Sequence, residues 1–133
     1  MKSYISLDYS TPHGLYRVTD SRFYVVPWNN PMIYEYNLNQ TTSNWTQTIF
    51  VNPAVNTSIY GAHVTIDDCD RRWLTLHNYG IKIYDENGNS LGDLTGNGGY
   101  FDTLILDNYV LVLSHYGNSI ITRIDPQVQC DLD

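Results

Sequence analysis

Long apolar runs are missing from this chain, and no basic cluster exceeds the pair Arg71–Arg72. Without an apolar run of about 20 residues, no helix can insert into a bilayer, so membrane insertion is not expected. Seven Lys and Arg against fourteen Asp and Glu give a net charge of −7, which repels a phosphate backbone and argues against nucleic-acid binding. Ala, Lys and Glu, three strong helix formers, are scarce, so a helical bundle or coiled coil is excluded. The opening "MKSYISLDYS" lacks the apolar stretch of a signal peptide and reads as cytosolic or as the mature piece of something longer. No serine has a Gly-x-Ser-x-Gly setting, and neither cysteine has a neighbouring histidine. "TGNGGY" is glycine-rich but leads into a strand pattern rather than a helix, so it cradles no phosphate, and no cofactor is expected.

What the chain has instead is twelve tyrosines, nine glycines and many β-branched residues, the composition of strands and turns. At 133 residues it is long enough for one domain with a real core. Period-two runs recur: "YRVTD" ends at Asp20, "HVTID" at Asp67 and "TLILD" at Asp107. Each is followed by a second hydrophobic segment, "YVVPWNNPMIYEYN", "LTLHNYGIKIYDEN" or "VLSHYGNSIITRID". The interval from the first Asp to a later Asn37, Asp85 or Asp125 is 17, 18 and 18 residues. Those later residues repeat at 48 and 40 residues, the length of a four-stranded unit.

The sequence therefore predicts an all-β fold of three four-stranded antiparallel repeats, β-propeller blades at about 13–52, 59–95 and 99–133. Residues 1–12, with "YISL", would supply an outer strand to a neighbouring blade. Three blades are half of a six-bladed ring, so the expected partners are other blades, from a homodimer or the remainder of a longer chain. "IYDENGNSLGDL" has oxygen-bearing side chains spaced like a calcium loop, but the sixth and twelfth places hold Ser90 and Gly96 rather than Gly and Glu. It reads as a hairpin turn.

These patterns resemble the NHL repeat, in which a strand ends in Asp, a Gly-Asn turn follows, and a Phe-Asp-x-x-Gly-like segment closes the unit. "HYGNSIITRID" and "YGIKIYDENGNSLG" carry the likeness best, and it covers most of residues 14 to 130. His77 and His115 stand where the family has Asp at the end of the second strand, and its arginine after the Gly-Asn turn is replaced by apolar or small residues. The resemblance implies a propeller whose ligand sites lie on the loops between second and third strands. Those loops contain Trp28, Asn29, His77, Tyr79, His115, Tyr116 and Asn118. Aromatics and amides together suit a glycan or a protein partner. Some propeller lyases similar to this family hold zinc with histidines, so His63, His77 and His115 form the alternative, a metal-dependent lyase or hydrolase. A non-catalytic scaffold is the preferred reading, with no metal.

Cys69 and Cys130 fall in turns expected on the same face of adjacent blades and could form one disulfide. Acceptor patterns for N-glycosylation occur at Asn39, Asn44 and Asn56, all within one low-charge stretch. Together they suggest an extracellular or secreted protein.

Overall fold

A computed structural model describes residues 11–95, 100–106, 109–114 and 120–124. All of the regular structure there is β, and no helix long and apolar enough to cross a membrane occurs among the described residues. Eleven strands form three antiparallel sheets. The first contains β1 (Pro12–Thr19), β2 (Arg22–Pro27), β3 (Ile33–Asn39) and β4 (Asn44–Val51), paired in chain order. The second pairs β5 (Tyr60–Ile66), β6 (Arg72–His77), β7 (Gly80–Tyr84) and β8 (Ser90–Thr95) in the same way. The third comprises β9 (Tyr100–Leu106), β10 (Tyr109–Ser114) and β11 (Ile120–Ile124). The fourth strand expected of that unit would lie outside the described residues. Among the described residues the sheets do not close into a ring.

Short side-chain oxygens organise the turns. Asn39 Oδ1 accepts the backbone N–H groups of Thr41 and Thr42 at 2.9 and 3.2 Å, turning β3 into β4. Asp67 Oδ1 accepts those of Cys69 and Arg71, both at 2.9 Å, between β5 and β6. The segment spaced like a calcium loop is a turn of this kind. Asp85 Oδ1 accepts the N–H groups of Asn87 and Asn89 at 2.8 and 2.9 Å, and Gly88 takes the positive φ of 84° that the turn needs. The Asn89 backbone N–H above all, despite some desolvation, holds the Asp85 carboxyl below its ordinary value.

Alternation within the strands sets two seams. The first sheet turns Tyr16, Val18, Tyr24, Val26 and Ile33 toward the second, which meets them with Val64, Leu74, Leu76 and Tyr84. The second turns Trp73, Ile81 and Ile83 the other way, onto Val110 and Val112 of the third. A side chain of this size, fully buried, contributes about 1.5–3 kcal/mol. Polar residues caught in the seams are paired. Arg72, 2% exposed, donates through Nε to the Tyr24 hydroxyl at 3.2 Å and bonds Asp70 at 2.6 Å. Thr65 and Thr103 share a 2.6 Å hydrogen bond between the second and third sheets.

Candidate functional site

β2 and β6 end, and β1 and β5 begin, at one end of the first two sheets. Pro27 closes β2 because it has no N–H to continue the ladder. The next residue, Trp28, is held by its backbone: its N–H donates to Thr11 O at 2.8 Å, and its carbonyl accepts from Gly61 N–H at 2.9 Å. The Trp28 ring thereby sits over the seam between the sheets. It stacks on Tyr60 with centroids 5.0 Å apart and planes at 11°. His13 and His77 lean on it at 5.0 and 5.2 Å, tilted by 39° and 38°. His13 donates from Nδ1 to the carbonyl of Ala62 at 2.9 Å, which fixes the ring and places its proton on that nitrogen. His13 is exposed, and the other three rings are half-buried.

Two glycines make this closeness feasible. A Cβ on Gly61 would fall inside contact distance of the Pro27 carbonyl oxygen, and one on Gly14 would do the same at Ala62. The backbones of β1, β2 and β5 therefore meet almost directly beneath the rings.

Of the residues singled out from sequence, Trp28 and His77 come together here. Asn29 is exposed beside them, its backbone N–H 3.4 Å from Thr11 Oγ1. Tyr79 points elsewhere: its hydroxyl donates to Asp93 at 2.6 Å, and the Lys82 ammonium sits 4.8 Å from its ring centroid. The Tyr79 hydroxyl chiefly, against some desolvation, holds the Asp93 carboxyl below its ordinary value. His115, Tyr116 and Asn118 lie outside the described residues. The alternative metal set loses His115 for the same reason, and among the described residues no group of three His, Cys, Asp or Glu side chains could hold an ion. His63 is half-buried on β5, where its backbone is bracketed by Thr75 Oγ1, which accepts its N–H at 3.0 Å and donates to its carbonyl at 3.1 Å.

His13 and Tyr60 were not anticipated. The signal was available: each ring precedes a glycine, His13-Gly14 and Tyr60-Gly61, at the same 47-residue offset that separates Asp20 from Asp67.

Asn39, Asn44 and Asn56 are all exposed. No free cysteine occurs among the described residues, and Cys130 lies outside them. Comparison with family models, characterised proteins and solved structures gave no match.

Proposed function

We propose that this protein is a non-catalytic binding scaffold of propeller blades, of the NHL type, which takes a glycan on the Trp28 shelf. The observation that carries the reading is the cluster of His13, Trp28, Tyr60 and His77, gathered at one sheet end from four different strand ends. Rings in this arrangement offer an apolar surface to the C–H face of a sugar, while the imidazoles and the exposed Asn29 amide can bond its hydroxyls. The shelf is built on strand ends over a glycine-tightened seam, so little ordering entropy is spent on binding. Consecutive strand order in each sheet, and packing of each sheet's first strand on the next sheet's first strand, support the blade reading.

An extracellular setting belongs to the same proposal. It is supported by the exposure of all three acceptor asparagines and by a Cys69 that is not a free thiol. Cys130 is the proposed partner, as the second of two cysteines.

The test is calorimetric titration of the purified chain with neutral oligosaccharides, alongside Trp28→Ala and Asn29→Ala. The expected result is measurable binding that falls at least about tenfold in Trp28→Ala, the worth of about 1.4 kcal/mol in a lost stacking contact. Asn29→Ala should weaken it less. Equal binding by Trp28→Ala with an unchanged circular dichroism spectrum would sink the proposal, as would the absence of any binding.

A further inference from the structure

The two seams run in one sense. Tyr36 and Tyr84 occupy the same place in the repeat, 48 residues apart, each one residue before Asn37 or Asp85. Tyr84 faces back toward the first sheet. The second sheet then turns its other face, with Trp73 and Ile81, onward to the third. Each seam thus joins the onward face of one sheet to the backward face of the next, never two like faces. Such stacking leaves one backward face and one onward face at the ends.

Both are apolar. The backward face of the first sheet carries Val25, Tyr34 and Tyr36, with Phe23, Met32 and Trp45 packed around them, and among the described residues no other sheet covers it. Leu15 and Ile49 stand there 66% and 55% exposed. A groove of about 550 Å³ runs between Leu15, Phe23, Val25 and Trp45. The onward face of the third sheet presents Leu104, Leu113 and Ile121, at 56%, 42% and 67%. The registers set Leu113 beside Ile121 and Leu104 opposite Leu111, so these side chains lie close together on one face rather than as scattered points.

We propose that a second copy of this chain docks here, seating the onward face of its third sheet on the backward face of the first. The occupant follows from continuity with the two seams already present: a backward face is covered by an onward face, and among the described residues the third sheet's is the one left uncovered. Two copies related by a two-fold axis satisfy both ends of both chains at once, with no edge left over to propagate. The inference rests on the blade reading but not on the glycan, and its test leaves Trp28 untouched.

The experiment is light scattering on a sizing column with the full chain, the variants Leu15→Arg and Ile121→Asp, and their equal mixture. Both residues are exposed in the single chain, so each variant should keep its circular dichroism spectrum. The wild type should run at twice 15.3 kDa and each variant at 15.3 kDa. The mixture should regain the dimer, because one junction is then wild type and the other sets arginine against aspartate. A monomeric wild type overturns the proposal, as does a dimer indifferent to both variants. Loss of the dimer in one variant only would also overturn it, since like faces would then be meeting.

Discussion

The first two sheets share their strand order and differ in what surrounds them, and the difference shows in which residues they can carry. In the second sheet the first strand, β5, is buried or half-buried at every position, with Ala62 and Val64 at 0% exposure. In the first, β1 alternates, with Leu15 and Arg17 in solvent and Gly14 buried. A sheet covered on both faces must satisfy its polar groups internally. Arg72 does so with Tyr24 and Asp70, and Thr75 with His63. A sheet with one open face can leave Arg17 and Asp20 to pair in water, where such a bridge is worth little. Burial here is a property of neighbours more than of the strand.

The sharpest way to break the comparison is to remove a tryptophan from each sheet. Trp73→Ala empties the seam between the second and third sheets and should cost about 3–5 kcal/mol, read as a lowered urea midpoint. Trp45→Ala, on the half-buried face of the first sheet, should cost clearly less. Equal losses would mean that the first sheet is as enclosed as the second.

The repeat aspartates give a second contrast. Asp67, 6% exposed, accepts two backbone N–H groups, Arg71 Nε at 2.6 Å and Trp73 Nε1 at 2.8 Å. Asp67→Ala strands those donors and should cost about 1–3 kcal/mol. Asp20, 92% exposed, bonds Arg17 alone among the described residues, so Asp20→Ala should leave the urea midpoint close to that of the wild type in the same denaturation series.

The smallest effect lies at the rim of the second sheet. The carboxyl of Asp93 is held below its ordinary value of 3.8, chiefly by the Tyr79 hydroxyl and also by Lys82, against an opposing desolvation. The unfolded chain therefore binds its proton more readily, so this group's stabilisation is complete above the ordinary value and fades as pH falls through the folded one. Asp93→Asn should flatten that part of the acid limb in melts between about pH 5 and 2, and leave the shape above pH 5 unchanged. An unaltered acid limb would count against the Tyr79–Asp93 bond.

Much of the fold was legible because period-two alternation and turn chemistry are local. "HVTID" and "DENGN" announce a strand and a turn without help from elsewhere, and β5 and the Asp85 turn are where they were expected. The site was legible by half. Trp28 follows the end of β2 and His77 closes β6, in the segments between second and third strands that were singled out as ligand sites. His13 and Tyr60 open first strands, and they join the cluster only because β5 comes back against β1 and β2. Nothing local reports such an approach except the glycine that follows each ring. Tyr79 misled for the opposite reason. It is one residue from a loop tip, yet its hydroxyl finds Asp93 on the neighbouring strand.

The indole of Trp73 has one more use, as an optical gauge. Its N–H points at a carboxylate, its ring lies 5.8 Å from the Arg71 guanidinium carbon, and it is 2% exposed. Trp28 and Trp45 are each half-buried, so their emission belongs to a wetter environment. A chain with both replaced by phenylalanine would carry a single tryptophan, excited selectively over the tyrosines at the red edge of its absorption, at the junction of the second and third sheets. Its emission colour would then follow the separation of that junction alone, distinguishing a chain that unzips from its third sheet from one that melts all at once.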